Sequence, residues 1–313
     1  MLGAQLAIDR DLEFEVAATC TPSARKALPV QPAALIPVAE AEVPVVPATR
    51  SGRLQPGRLA LRLASLLAFV LAWQLASQYR VNFGLVTFQN VPAPSEVLPA
   101  LWSLLQSPKV GYHVGNSLYR VFGGFLAATL AGILLGLLIG RSKSASDLLL
   151  PPLEVLRPIP GVAWIPLAIL MFPSSELSMI YITFMGALFP ILLNTIHGVE
   201  AIDPRLTATA RSLGAGRLRL FSEVILPAAA PSIVTGLSIG LGTSWFCLVT
   251  AEMIAGQYGI GYYTWESYNL QRYADIVVGM LLIGLFGMGS SVIVKKLGAL
   301  LTPWYHIKGA RHD

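Results

Sequence analysis

Charge is scarce in this sequence. Of its 313 residues only 12% are Asp, Glu, Lys or Arg, about half of the roughly 25% usual in soluble globular domains. A chain so poor in charge cannot present a water-facing surface all round, which excludes a soluble fold with a large core. Cysteine is nearly absent as well: Cys20 lies in a polar tail and Cys247 in an apolar run, so there is no disulfide framework and no metal-ligand spacing. Four histidines, at 113, 197, 306 and 312, are scattered, and no Ser/His/Asp arrangement converges by sequence. An intramembrane protease or acyltransferase therefore has no nucleophile motif to stand on. A G-x-x-x-x-G-K-[ST] phosphate loop is missing, so the chain has no means of hydrolysing ATP itself. The net charge of +5 comes without a basic stripe interleaved with aromatics, which excludes nucleic acid as a partner.

What is abundant is apolar sequence. Hydrophobic residues make up 54% of the chain, and runs of about 20 of them, the length that crosses a bilayer core, recur along it. The spans are expected at about 59–78, 117–140, 151–172, 177–197, 231–252 and 276–301, which makes an all-α polytopic membrane protein of about six helices. Residues 1–56 differ from the rest. They are rich in Ala, Pro and Val, carry no periodic apolar face and lack the basic start and apolar run of a signal peptide, so a flexible tail is expected ahead of a membrane domain at 57–313. In the second span, "LAGILLGLLIG" places Gly132, Gly136 and Gly140 four apart with Ala128 a turn earlier, a ladder that lets helix backbones approach closely.

The third span, "PPLEVLRPIPGVAWIPLAILMF", holds prolines at 151, 152, 158, 160 and 166 and cannot form a straight helix. Broken backbone at membrane depth survives only where protein or a water-filled cavity satisfies it, so this span points to a pathway. Lys and Arg set the orientation. With the tail inside, the inner segments hold Arg50, Arg53, Arg58, Arg62, Arg141, Lys143, Arg157, Arg205, Arg211, Arg217, Arg219, Lys295, Lys296, Lys308 and Arg311. The outer segments hold Arg80, Lys109, Arg120 and Arg272. Both termini are thus expected in the cytoplasm.

The stretch "TATARSLGAGRLRLFSEVILP" (207–227) then falls on the cytoplasmic side between two spans. Leu206, Ala210 and Leu213 share one helical face, and Leu218, Phe221 and Ile225 the next. Asp203-Pro204 reads as a capped helix start, Gly214 and Gly216 supply a sharp turn, and Pro227 closes the segment. A basic helix-turn-helix with an apolar ridge suits either a docking partner or acidic lipid.

This stretch resembles the cytoplasmic loop of the permease subunits of binding-protein-dependent ABC importers, whose signature is E-A-A, three residues, G, nine residues, I, one residue, L-P. Ala208-Thr209-Ala210 occupies the E-A-A place, Gly214 the glycine, Val224 the isoleucine and Leu226-Pro227 the ending. Ala208 and Thr209 depart from the signature, and the first departure removes a charge. "SLYRVFGGF", "LRPIPGVAWIPLAILMF", "SLGAGRLRLFSEVILPAAAPSI" and "SWFCLVTAEMI" are similar to the branch that carries nitrate, bicarbonate, taurine and alkanesulfonates. Arg157-Pro158-Ile159-Pro160 lies nearer to taurine and sulfonate permeases, while Pro173 stands where that branch usually has glycine.

The resemblance covers roughly 60–304. It implies a type I permease fold, related to the methionine and maltose permeases, in the bacterial inner membrane. It also implies a second permease copy in a homodimer, ABC ATP-binding subunits that carry the ATP and magnesium, and a periplasmic substrate-binding protein. No cofactor is expected on this chain. The loop at about 203–227 becomes the coupling loop, with Leu206, Ala208, Ala210, Arg211, Leu213, Gly214, Ala215, Arg217, Phe221, Leu226 and Pro227 as its candidate residues. A channel or secondary transporter is the rival class, and such a protein has no use for the spaced signature.

Pathway candidates are polar groups that lipid penalises. Arg157 is placed to attract an anion beside Pro160, or simply adds inner-leaflet charge, and Glu154 is a turn away to pair with it. Trp164 and Trp245 offer an indole donor, or pack as ordinary aromatics. Thr243 and Ser244 offer neutral hydroxyls that either reach an oxyanion or back-bond to their own helix. Glu252, a poor anion ligand, is expected to cap a neighbouring helix or gate the outer mouth. His197 reads as a helix-terminus cation.

Overall fold

A computed structural model describes residues 56–85 and 87–305; the expected tail and the cations Arg50, Arg53, Lys308 and Arg311 lie outside them. Helix α1 (Pro56–Gln78) is followed by α2 (Pro94–Gln106), α3 (Lys109–Arg141) and α4 (Lys143–Leu156). A 3-10 turn (Gly161–Trp164) leads into α5 (Ile165–Met171), and then come α6 (Ser175–Glu200) and α7 (Pro204–Ser212). The short α8 (Arg217–Arg219) runs through a π-helical segment (Leu220–Ile225) into α9 (Leu226–Ala255), after which α10 (Ile260–Asn269) and α11 (Tyr273–Leu301) complete the chain. Among the described residues five helical stretches are long and apolar enough to cross a membrane, and the bent pair α4 and Gly161–Met171 passes the same test together, which gives six if the pair is one span.

Helix α6 is the centre of the bundle, with α3 on one side and α9 on the other. Small residues make this possible. A Cβ added to Gly132 would lie 2.9 Å from Ile191 Cγ2, one on Gly136 2.6 Å from Thr195 Cβ, and one on Gly140 2.9 Å from Val199 Cβ. The ladder read from the sequence is therefore the α3–α6 seam. On the other side Gly236 and Gly240 of α9 meet Asn194 and Ile191, while Gly198 of α6 meets Ser232. Thr183 and Thr195 enter these seams without an unsatisfied hydroxyl, because each donates to the carbonyl four residues back.

The third span is broken, as its prolines require, but at one place and not throughout. Pro151 and Pro152 lie inside α4, which begins at Lys143 with Ser142 as its cap, its Oγ accepting from the Ala145 N–H. The helix ends where Pro158 and Pro160 remove two donors in quick succession, and the chain then bends by 84° into the next half.

The fifth span differs more. It was expected to start at 231, closed off by Pro227, yet Arg217–Ala255 is one helical stretch of 39 residues. Pro227 lacks an N–H, and in a regular helix its ring would press on the Glu223 carbonyl. The π-helical turn at Leu220–Ile225 widens the backbone there, as such bulges do, and the helix continues. Helices α2 and α10 were not anticipated. Both are too short to span; α2 turns Val97 and Leu104 inward and α10 turns Ile260, Tyr263 and Thr264 inward. Helix α1 stays mostly exposed, its leucines facing outward. It is tied near its C-terminal end, where Ser77 Oγ donates to the Val91 carbonyl and Gln74 Nε2 donates to Ser95 Oγ at 3.1 Å.

Because the α3–α6 seam has no room for a side chain at 136, Gly136→Leu is expected to cost about 1–3 kcal/mol by overpacking. Leu126→Ala on the exposed face of α3 is the control and should cost less. Thermal unfolding of both variants in detergent tests this.

Candidate translocation cavity and coupling loop

The bend between α4 and α5 is seated on α6 and α9 through contacts that only glycine permits. A Cβ on Gly161 would lie 2.7 Å from Cys247 Sγ, and one on Gly186 2.8 Å from the same sulfur. Above this seat opens a cavity of about 500 Å³. Arg157 and Pro160 line it from the bend, Asn194 and His197 from α6, and Thr243 and Phe246 from α9. Arg157 is exposed and forms no ion pair with Glu154 or any other carboxylate among the described residues, so its guanidinium is free to meet an anion.

The seven pathway candidates separate. Arg157, Pro160 and Thr243 meet in the cavity. The Thr243 hydroxyl is engaged, donating across the seam to the Gly186 carbonyl at 2.7 Å, so what it offers the cavity is a lone pair. Ser244 is fully buried and donates to the Thr183 carbonyl at 3.2 Å, a bond between α9 and α6. Trp245 faces α11, its Nε1 donating to Ser290 Oγ at 2.9 Å. Trp164 is half-buried in the 3-10 turn, with its indole N–H unpaired among the described residues. Asn194 and Gly186 were missed. An amide inside an otherwise apolar span was the available signal for Asn194, whereas the glycine had none of its own.

Glu252 lies elsewhere, in a buried polar cluster at the end of the bundle that carries α10. Arg120 is 1% exposed and Glu252 0%. Arg120 Nη1 donates to Glu252 Oε1 at 2.9 Å and to the Tyr258 carbonyl at 2.7 Å. Its Nε and Nη2 form a two-pronged contact with Glu176, at 2.7 and 2.5 Å. Ser117 Oγ donates to the Glu252 carboxylate (Oε1, 2.8 Å), and the Gly261 N–H donates to Oε2 at 2.9 Å. Glu252 thus caps the first turn of α10. Gly259, at φ +131°, leads into that turn, and a side chain there would overlap the carboxylate. His113 Nδ1 accepts from the Gly259 N–H at 3.2 Å.

Arg120 is therefore not an outer-segment cation. Helix α3 starts at Lys109, ahead of the expected 117, and carries Arg120 into the interior, where two carboxylates compensate the cost of burying it. Removing one partner of such a cluster leaves an uncompensated charge. Arg120→Met should cost about 3–5 kcal/mol, and adding Glu252→Met should recover part of the loss. A thermal-unfolding cycle over the single and double variants measures the coupling.

At the opposite end, α7 starts as Asp203-Pro204 predicts: Asp203 Oδ1 accepts from the Arg205 N–H at 2.8 Å. It ends in a Schellman turn. Gly214 sits at φ +81°, its N–H donating to the Arg211 carbonyl at 2.9 Å and the Ala215 N–H to the Ala210 carbonyl at 3.0 Å. Leu206, Ala208, Arg211, Leu213 and Arg217 are exposed, Ala210, Ala215 and Phe221 half-buried. Leu226 and Pro227 belong to the first turn of α9. The second apolar face is not one ridge: Leu218 is 81% exposed, whereas Ile225 is 2% exposed. The π-helical turn shifts the register between them, so Ile225 joins the bundle and Leu218 does not.

Residues 128–307 match the family model described as the binding-protein-dependent transport system inner membrane component. The chain is 36% identical over 223 residues to the nitrate import permease protein NrtB of Synechocystis sp., covering 68% of this chain and 81% of that one. It is 36% identical over 247 residues to the putative aliphatic sulfonates transport permease protein SsuC of Escherichia coli, covering 78% and 92%. To the bicarbonate transport system permease protein CmpB of Synechococcus elongatus it is 32% identical over 258 residues, covering 79% and 89%. With this match and its bundle of membrane-length helices, the chain belongs to the family of inner-membrane permease components of binding-protein-dependent transport systems.

Proposed function

We propose that this permease is the transmembrane subunit of an ATP-driven importer of small anions, and that its substrate is an organosulfonate of the taurine or alkanesulfonate kind. It works as a homodimer that alternates access across the inner membrane. A periplasmic protein delivers the substrate and separate ATP-binding subunits supply the energy through the loop at 203–227. The observation that carries the reading is the cavity at the α4–α5 bend. It joins an unpaired guanidinium, Arg157, to a wall formed by Met185, Phe189, Leu193 and Phe246. A sulfonate group fits the first and its carbon chain the second.

Relatives named for nitrate and for bicarbonate match about as well as those named for sulfonates, so either anion in the same machinery is the second reading. Neither has a carbon chain to use the apolar wall. Arg157, Pro160 and Thr243 are the pathway residues of this proposal; Ser244, Trp245 and Glu252 serve it by tying helices together. The cations support termini in the cytoplasm more strongly once Arg120 is counted as internal, and Arg272 lies 3.7 Å from Asp275.

Uptake of labelled taurine, an alkanesulfonate, nitrate and bicarbonate, in cells with and without the chain, tests the substrate. Loss confined to the sulfonates is expected, and loss of nitrate or bicarbonate uptake instead would overturn that choice. In proteoliposomes holding the whole transporter, Arg157→Gln should lower sulfonate uptake about tenfold, the loss of one charge-assisted contact. Gly214→Val forces a β-branched residue to positive φ. It should abolish uptake while the ATP-binding subunits still hydrolyse ATP; undiminished transport would remove the coupling role from the loop.

A further inference from the structure

The end of the bundle that carries α10 holds a second cavity, of about 650 Å³, a size usual for small-molecule sites. Lys109 and His113, a turn apart on α3, line it from one side, and Tyr262 and Glu266, a turn apart on α10, from the other. The His113 ring joins the two helices by stacking on Tyr262, with centroids 6.2 Å apart and planes at 16°. Tyr258 also lines the cavity and tilts against the same ring at 6.1 Å. Its carbonyl accepts from Arg120 Nη1 at 2.7 Å, so this wall is fixed to the buried Arg120–Glu252 cluster.

The polar groups of the cavity have bonding capacity left over. His113 is 7% exposed, and its Nδ1 accepts from the Gly259 N–H. That bond puts the ring proton on Nε2, which has no partner among the described residues. The Tyr262 hydroxyl donates to Glu266 Oε1 at 3.3 Å, which orients the half-buried carboxylate and leaves Oε2 without a partner among the described residues. Neither Lys109 nor Glu266 has an ion-pair partner among those residues, and the two do not pair with each other. A plain anion drawn to Lys109 is repelled by Glu266, and a plain cation drawn to Glu266 is repelled by Lys109. A molecule with an oxyanion at one end and an ammonium at the other satisfies both, and its ammonium is also attracted by the tyrosine faces.

We infer that this cavity is a binding site for a small zwitterion, which sets its oxyanion against Lys109 and the His113 Nε2–H and its ammonium against Glu266 and Tyr262. The inference rests on the sulfonate reading above in naming the oxyanion, which makes the ligand an aminosulfonate and places its first contact at the outer end of the permease, away from Arg157.

The test uses the full-length chain assembled with its ATP-binding subunits in nanodiscs, without the binding protein, and measures retention of labelled taurine. Saturable binding is expected. Ethanesulfonate, which lacks the ammonium, and ethylammonium, which lacks the oxyanion, should compete at least tenfold less well, since each forfeits a charge-assisted contact. Glu266→Gln should weaken taurine about tenfold and bring ethanesulfonate level with it, while Lys109→Met should bring ethylammonium level with it. A folding defect lowers all three ligands together and does not produce these changes of preference. If the parent shows no saturable binding, if ethanesulfonate competes as well as taurine, or if neither variant shifts the preference, the inference falls and the sulfonate reading stands on its uptake test. If Arg157→Gln abolishes taurine binding and both outer variants keep it, the ligand sits at the α4–α5 bend, which overturns the inference and supports the reading beneath it. If sulfonates are neither bound nor taken up, both fall.

Discussion

The packing of α3 and α9 onto α6 is the constraint on which the other features rest. Lipid offers apolar side chains no reason to prefer a neighbouring helix, so association depends on close contact and on interhelical hydrogen bonds. Here glycines supply the first, through Gly132, Gly136 and Gly140 on one seam and Gly236 and Gly240 on the other. Ser244 and Thr243 supply the second, each donating to a carbonyl of α6. The bend at 157–160 is tolerated because Gly161 can settle against Gly186 and Cys247 at the second of these seams.

Helix α9 then links three places that are far apart. Near its C-terminus Glu252 holds the start of α10 together with Arg120 and Ser117. In its middle Thr243, Phe246 and Cys247 line the cavity. Through the π-helical turn and α8 it reaches the loop at the other end. One helical rod thus joins a rigid polar anchor, a cavity wall and an exposed tip. The anchor is dense in charge-assisted bonds, which fix its geometry more firmly than apolar contacts do. The tip is held by the Asp203 cap and the backbone bonds of the turn at Gly214, and it leaves Leu213 and Leu218 exposed.

Part of this was legible in the residues. The spans at 177–197 and 276–301 lie within α6 and α11, because long apolar runs with few charges have one stable outcome in a bilayer. The Asp203-Pro204 start and the turn at Gly214 were legible because cap and turn chemistry are local. The glycine ladder was legible as a close-packing face, although not which helix it meets. Arg120 was misread because a cation close to the end of an apolar run looks like a loop charge until the helix is known to begin earlier. The anchor pairs it with residues 56 and 132 positions away, a separation that no local pattern records.

The sequence by itself determined the helical class, the membrane-length spans, the break in the third of them and the basic turn at 203–227, all set by hydropathy, proline geometry and capping within a few residues. Only the tertiary structure decided which polar groups face the cavity, which are spent in seams, and that Pro227 is carried inside a continuous rod. Those outcomes depend on what stands opposite each residue. A hydroxyl such as Thr243 reads the same in the chain whether its partner is an incoming anion or the Gly186 carbonyl, and only the packed α6–α9 seam settles which.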